Sequence, residues 1–143
     1  MVESFVNSRR IAWLIGIALL VMVANIAASV LYMIVYSYVI DPGHDPQYYD
    51  AHIQTAAPYC SIAAGIPLMF VAGWWVGGWW QREFAVKSAL VIWLVYAAID
   101  VALMLAAGLT LTIATLVSVS IVTKLAAILL GARFAGGDFN NDR

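Results

Sequence analysis

Residues 11–40 read IAWLIGIALLVMVANIAASVLYMIVYSYVI and contain no charged side chain. A helix needs about 20 apolar residues to cross the hydrocarbon core of a bilayer, at a rise of about 1.5 Å per residue. This stretch is longer than one straight crossing requires, so we expect the helix to tilt, or its tyrosine-rich end (Tyr32, Tyr36 and Tyr38) to stand out of the membrane. The stretch therefore predicts a first transmembrane helix.

Further apolar segments follow at residues 58–80, 84–107 and 109–134. Gly108 is nearly the whole connection between the last two, which predicts a tight hairpin. A transmembrane β-barrel needs strands of about 10 residues with strict alternation, whereas these apolar runs are unbroken. The predicted fold is an all-α membrane protein, a four-transmembrane-helix antiparallel bundle that forms a single domain over residues 1–143.

The composition supports this fold class. The chain has 143 residues, of which 64% are hydrophobic and 10% charged, and its formal net charge is -1. Soluble domains carry about 25% charged and about 45–50% apolar residues, and a small globule cannot bury this much apolar surface. Disordered chains are polar and rich in charge, and nucleic-acid binding depends on clustered Lys and Arg. A soluble enzyme, a disordered chain and a nucleic-acid partner are therefore excluded.

The basic residues predict the orientation of the bundle. No Lys or Arg occurs in the predicted outer loop, residues 41–57, which holds Asp41, Asp45 and Asp50. The positive-inside rule then places both termini in the cytoplasm, with a cytoplasmic tail at 135–143. Trp residues gather near this predicted cytoplasmic face and Tyr residues near the other, as amphipathic rings do at headgroup level. We expect a multi-pass protein of the inner (plasma) membrane, with its basic residues on one side: Arg9, Arg10, Arg82, Lys87, Lys124, Arg133 and Arg143.

Asp100 lies well inside the predicted third helix, roughly 10 Å from its end at about 1.5 Å per residue. A charged group at that depth costs several kcal/mol or becomes neutral. Helical spacing places Trp93, Tyr96 and Met104 on the same face as Asp100. This face could be a protonatable site with aromatic walls suited to a cation. Asp100 could equally be a structural acid, hydrogen-bonded across a helix interface.

Lys124 in the predicted fourth helix is a possible partner for Asp100. Counted from the turn at Gly108, Asp100 lies level with about Leu116, and the depth gap to Lys124 is about 10 Å by helix rise. An ion pair would therefore need tilted helices. The gap favours a lysine that extends its amine towards the cytoplasmic interface.

The fourth segment is also rich in hydroxyl side chains. Thr115 lies near the level of Asp100, and Ser120 shares a face with Lys124 at a spacing of four residues. Such hydroxyls could line a polar pathway, but more often they bond to their own backbone or to a neighbouring helix. The candidate binding or proton-site residues are therefore Asp100, Trp93, Tyr96, Thr115, Ser120 and Lys124.

Small residues in the second segment predict close helix packing. Gly73 and Gly77 form a GxxxG pattern, and Gly65 extends it. Glycines let two helix backbones approach within van der Waals range, either inside one chain or between two copies. Pro67 removes one backbone hydrogen bond, so we expect a kink there. Asn25, in the first segment, predicts a hydrogen bond between helices.

The predicted outer loop contains both histidines, His44 and His52. Two histidines beside carboxylates could bind a metal or respond to pH, but the spacing matches no known site, and we predict no metal and no cofactor. Cys60 is single, so it predicts no intrachain disulfide or redox pair. Because no catalytic motif occurs, we do not expect an enzyme.

Two functional hypotheses follow from these patterns. The first is a non-catalytic helix bundle that acts as an accessory or assembly subunit, or as a homo-oligomer, through its small-residue helix faces. The second is a small homo-oligomeric transporter or channel for a cation or a proton-coupled solute that uses Asp100. The expected partners are the lipid bilayer and either further copies of this chain or other membrane proteins. Two features distinguish the hypotheses: whether Asp100 faces a cavity, and whether the second helix packs against a partner.

Overall fold

The structure is a computed structural model that describes residues 7–79, 82–108 and 110–135. Within these ranges the chain forms four α-helices, all long and apolar enough to cross a membrane. The protein is therefore an all-α, multi-pass membrane protein, which confirms the predicted class and the number of long helices. The helices are α1 (Ser8–Val35), α2 (Pro46–Gly77), α3 (Arg82–Ala107) and α4 (Leu111–Ala135).

The first helical segment is longer than a bilayer crossing requires. The side chain of Asn7 caps α1 by accepting a hydrogen bond from the backbone N–H of Arg9 at 3.2 Å. A single π-helical turn, Tyr36–Ile40, continues the helix beyond Val35. The combined segment of 33 residues would be about 50 Å long, against a hydrocarbon core of about 30 Å. Its tyrosine-bearing end therefore extends the helix well past one core thickness.

The predicted loop at 41–57 is wrong over most of its length, because α2 begins at Pro46 and not at Pro58. The Asp45 side chain accepts a hydrogen bond from the backbone N–H of Tyr48 at 2.9 Å, and proline suits the first helical position because it needs no N–H partner. An Asp-Pro helix start was therefore present in a stretch whose polar composition predicted a loop. Only residues 41–45 separate the first helical segment from α2.

The other boundaries differ from the prediction by a few residues. Gly108, with φ of +95°, ends α3 in the left-handed region that favours glycine. The Thr110 hydroxyl accepts a hydrogen bond from the backbone N–H of Ile113 at 3.3 Å, and α4 begins at Leu111. Helix α4 ends at Ala135, and the rest of the predicted cytoplasmic tail, residues 136–143, lies outside the described residues.

Helices α2 and α4 touch through a group of small residues that we call the glycine contact: Gly73, Gly77 and Gly131. A Cβ atom added to Gly73 would overlap the backbone carbonyl oxygen of Ile128, and one added to Gly131 would overlap that of Phe70. The two backbones therefore approach as closely as their atoms permit. The predicted GxxxG pair packs inside one chain.

A compact apolar core surrounds the glycine contact. Met69 and Val76 on α2 and Ile92 on α3 are fully buried there. Many large apolar side chains point outward instead, such as Leu20 and Val122, which are more than half exposed. In water such a surface would be unfavourable, and in a bilayer it is the surface that contacts lipid. Helix α2 also continues through both Pro58 and Pro67.

Candidate functional site

A group of polar side chains from all four helices meets at Lys124, and we call it the polar cluster: Asn25, Ser61, Tyr96, Asp100 and Lys124. Lys124 is completely buried. Its Nζ donates to the Ser61 hydroxyl and to the Tyr96 hydroxyl, both at 2.9 Å. The same Nζ lies 3.5 Å from Oδ2 of Asp100. These partners account for all three donors of a lysine ammonium.

The expectation that Lys124 extends to the membrane interface was therefore wrong. Side chains on an α-helix lean towards the N-terminus of their own helix. A count of helix rise does not include this lean, so it separates Lys124 from Asp100 by about 10 Å, whereas Nζ of Lys124 lies 3.5 Å from Oδ2 of Asp100.

Gly65 on α2 makes room for the lysine. A Cβ atom added to Gly65 would overlap Cε of Lys124. The absence of a side chain at this position thus lets the aliphatic stem of Lys124 pass α2 and deliver its amine to Ser61, four residues earlier on the same helix. The sequence pattern predicted Gly65 as a helix-packing residue, and the structure shows that what packs against it is a side chain.

Asn25 joins α1 to the cluster through hydrogen bonds between helices, which the sequence predicted for this residue. Its Nδ2 donates to the Ser61 hydroxyl at 2.9 Å and to the Tyr96 hydroxyl at 2.7 Å. Asn25 is only 4% exposed. Its Oδ1 is buried and has no hydrogen-bond partner among the described residues. A buried acceptor without a partner costs about 1–3 kcal/mol, so Asn25 presents an unused acceptor at the site.

The two hydroxyl groups of the cluster each accept hydrogen bonds from two donors. The Ser61 oxygen and the Tyr96 oxygen each accept from Asn25 and from Lys124. An oxygen that accepts two hydrogen bonds has used both lone pairs, and its own proton is left to be donated elsewhere. In the sequence, Ser61 is one small residue of the second apolar segment. Its role could not be found there because it depends on which polar groups the other helices present.

Asp100 links the polar cluster to two cavities. Its side chain is 18% exposed and lines two cavities, one of about 870 Å³ and the other of about 550 Å³. The larger also contacts Asn25 and apolar residues such as Met33, and the smaller also contacts Ser120. Ser61 lines both cavities as well. Asp100 and Ser61 thus lie between the two spaces.

The remaining candidates from the sequence divide into two groups. Ser120 is 3% exposed, and its hydroxyl has no hydrogen-bond partner among the described residues, so it adds a second unused polar atom at the smaller cavity. Thr115 instead donates to the backbone oxygen of Leu111 at 2.9 Å. The Trp93 indole N–H donates to the backbone oxygen of Ile121 at 3.0 Å. Thr115 and Trp93 therefore bond to the α4 backbone rather than to the cluster.

The two histidines have separate partners at the loop end of α1. The ring of His52 stacks on Tyr36 with a centroid distance of 3.9 Å, and its Nε2 lies 3.1 Å from the Tyr32 hydroxyl. Nε2 of His44 lies 3.0 Å from Oδ1 of Asp41. Within the described ranges, no group of three or more His, Cys, Asp or Glu side chains is arranged to hold a metal.

Asp41 is the shared hydrogen-bond partner of several side chains at this loop end. The Tyr48 hydroxyl donates to Oδ2 of Asp41 at 2.7 Å, and the Tyr49 hydroxyl donates to its backbone oxygen at 2.8 Å. The hydrogen bond from Tyr48, followed by that with His44, lowers the pKa of Asp41 below its ordinary value of 3.8. Asp41 therefore stays ionised at neutral pH and holds the turn together.

In comparisons with known proteins, the chain matches no protein-family model, no curated protein and no solved structure. The polar cluster and Ser120 together offer a carboxylate and two unused buried polar atoms at residues that line two cavities. Such a set suits a small species that donates hydrogen bonds and carries positive charge, such as a proton on water or an ammonium group.

Proposed function

We propose that this protein is a small transporter or channel for a cation or a proton-coupled solute, that it works as a homo-oligomer, and that it is not an enzyme. Asp100 would bind the cation or the proton. The observation that carries the proposal is that the Asp100 carboxylate lines two cavities while it pairs with the fully buried Lys124. Ionisable groups inside a membrane protein characteristically lie on ion or proton pathways.

Lys124 would couple the binding of a proton or cation at Asp100 to a change in helix packing. A buried ammonium needs a counter-charge, and its removal leaves an uncompensated charge. A proton or cation that neutralises Asp100 removes this counter-charge, so Lys124 must change its contacts with Ser61 and Tyr96. Because the cluster draws on all four helices, that change alters packing across the whole bundle. A ligand that binds one arrangement of the bundle more tightly shifts the population towards that arrangement.

The unused polar atoms support a ligand that donates hydrogen bonds. Asn25 lines the larger cavity and Ser120 lines the smaller one, and Asn25 Oδ1 and the Ser120 hydroxyl are buried without a hydrogen-bond partner among the described residues. A proton carried on water, or an ammonium group, would donate to Asp100 and Asn25 from the larger cavity, or to Asp100 and Ser120 from the smaller one. The Asp100 side chain is 18% exposed and lines the cavities, whereas the Lys124 side chain is completely buried, so the geometry favours a cationic solute over an anionic one.

We further propose that both termini lie in the cytoplasm and that the protein resides in the inner (plasma) membrane. The support is the distribution of basic residues, which the predicted outer loop lacks. In this orientation the 41–45 segment faces the exterior, and its Asp41 and Asp45 would raise the local concentration of cations.

The test is proton flux in proteoliposomes that contain the purified protein and a pH-sensitive dye. After an imposed pH gradient, we expect wild-type vesicles to acidify faster than empty ones, and Asp100→Asn to reduce the rate to that of empty vesicles. Ser61→Ala should slow the flux because it removes a shared acceptor of the cluster. Ser118→Ala is the matched control, since the Ser118 hydroxyl donates to its own helix at the backbone oxygen of Ala114.

Retained flux in Asp100→Asn would exclude the proposed role of Asp100. A wild-type protein that moves no protons should next be tested with an ammonium gradient in the same vesicles. If wild-type vesicles again behave as empty ones, the transport proposal fails as a whole.

The accessory or assembly subunit stays a second hypothesis. Its main argument was the small-residue face of α2, but Gly73 and Gly77 contact α4 of the same chain. Native mass spectrometry of the protein extracted from its own membrane distinguishes the accessory-subunit hypothesis from the transporter hypothesis. A stable complex with other polypeptides favours the accessory subunit, whereas a homo-oligomer without other chains favours the transporter.

A further inference from the structure

Two adjoining cavities lie where α1 begins and α2 ends, away from the polar cluster. One, of about 290 Å³, is lined by Asn7, Arg9, Arg10, Trp13 and Trp79. The other, of about 500 Å³, is lined by Arg9 and Trp13 and otherwise by Ala12, Gly16, Ile17, Leu20 and Trp75. Because Arg9 and Trp13 line both, the cavities form one groove with a basic end and an apolar end.

The basic end suits a phosphate. It combines two guanidinium side chains with the N-terminus of α1, where backbone N–H groups and the helix dipole favour negative charge. Arginine matches phosphate oxygens through paired N–H donors. Among the residues that the structure describes, no acidic side chain lines either cavity.

Tryptophans place this end at the membrane surface. The rings of Trp13 and Trp79 meet edge to face with centroids 6.4 Å apart, and those of Trp75 and Trp79 are 5.0 Å apart. Indole rings settle at the level of lipid headgroups because they combine an apolar body with one polar N–H. The basic end of the groove therefore lies at the depth of lipid phosphates.

Gly16 gives independent support for the apolar end. A Cβ atom added to Gly65, Gly73, Gly77 or Gly131 would clash with protein atoms, but one added to Gly16 would meet nothing within 4 Å. Glycine inside a helix is less favourable than alanine, and here no protein contact requires it. Its missing side chain instead keeps the groove open between Ala12 and Leu20.

We propose that this groove binds an anionic phospholipid, with the phosphate at Arg9 and Arg10 and one acyl chain lying along α1 across Gly16. The rise from Arg9 to Leu20 is about 16 Å, which matches one leaflet, half of a hydrocarbon core of about 30 Å. A soluble phosphate would use only the basic end. The site is independent of the proposed transport function.

Native mass spectrometry of the detergent-purified protein tests the proposal. The protein is titrated with phosphatidylglycerol, with phosphatidylcholine of the same acyl chains, and with inorganic phosphate. We expect wild-type protein to bind phosphatidylglycerol about tenfold more tightly than phosphatidylcholine. Arg9→Gln should remove most of this preference. Gly16→Leu should weaken binding of phosphatidylglycerol severalfold by filling the groove.

Matched controls keep the result interpretable. Arg133→Gln removes an exposed arginine from α4, and Ala27→Leu adds the same kind of side chain on an exposed part of α1 outside the groove. Both should leave lipid binding unchanged. Equal affinity for the two lipids in wild-type protein, or full retention of phosphatidylglycerol by Gly16→Leu, would overturn the proposal. Binding of inorganic phosphate as tight as that of phosphatidylglycerol would also overturn it, because the acyl chain would then contribute nothing.

Discussion

The glycine contact and the polar cluster both bring α2 and α4 together, yet they use glycine in opposite ways. At Gly73, the missing side chain lets the backbone of α4 come into contact. At Gly65, it makes room for the long charged side chain of Lys124. A small residue on a membrane helix therefore indicates that something approaches closely, but not whether a backbone or a functional side chain does so.

The two regions also differ in what holds them together. Lipid gives apolar helices no hydrophobic reason to associate, so the glycine contact depends on close van der Waals packing. The polar cluster depends on an ion pair and on shared hydrogen bonds, and among the described residues Asn25 Oδ1 and the hydroxyl of the nearby Ser120 have no hydrogen-bond partner. The glycine contact is complete as a packing interface, whereas the second region contains buried polar atoms that have no hydrogen-bond partner among the described residues. This difference is why we assign function to the second.

Separating the charges of the polar cluster should have the largest effect on stability. Asp100→Leu leaves the buried Lys124 without its counter-charge, and we expect a loss of about 3–5 kcal/mol in the free energy of unfolding. The double variant Asp100→Leu with Lys124→Met removes both charges and should recover most of this loss. Unfolding by denaturant in detergent micelles measures both. A double variant as unstable as Asp100→Leu alone would show that the pair is not the source of the effect.

Filling the glycine contact should have the next largest effect. Gly73→Leu forces a side chain into the backbone of α4 at Ile128, and we expect a loss of about 1–3 kcal/mol. Gly16→Leu is the matched control, because no atom lies within 4 Å of a Cβ there, and its stability should change by less than about 0.5 kcal/mol. The same unfolding assay compares them. Equal losses in the two variants would contradict the assignment of Gly73 to close packing.

Loss of the Asp41 contacts on acidification should have the smallest of these effects, and it concerns the loop end. Because the folded pKa of Asp41 lies below its ordinary 3.8, its contacts stabilise the folded turn at neutral pH and lose this effect as pH falls through the lowered pKa. We expect the carboxyl ¹³C resonance of Asp41 to titrate below pH 3.8, and Tyr48→Phe to raise that midpoint. An unchanged midpoint in Tyr48→Phe would contradict the role of the Tyr48 hydrogen bond.

The boundaries of α2 show where prediction from local pattern failed. Residues 46–57 carry enough polar side chains to resemble a loop, although Asp45 and Pro46 form a helix start. Hydropathy measures how a segment partitions into lipid, not whether it is helical, so a helix that continues beyond its apolar part is missed. The signal that could have corrected this was the capping pair itself.

The candidate site shows a different limit. Spacing on one helix correctly grouped Tyr96 with Asp100, because both positions follow from helical geometry. It placed Lys124 too far away, because depth was counted along the helix axes without the lean of the side chains. Nothing in the sequence indicated that Ser61 would accept hydrogen bonds from both Asn25 and Lys124.

The amino-acid sequence was enough to establish a membrane protein with four long apolar helices, since hydropathy and helix length are properties of each segment alone. The partners of Asn25, Gly65 and Lys124 emerged only with the folded bundle. Which side chains meet depends on how each helix rotates, tilts and approaches its neighbours, and those quantities are set by contacts between segments far apart in the chain. The fold class is thus a local property, whereas the site is a property of the assembled helices.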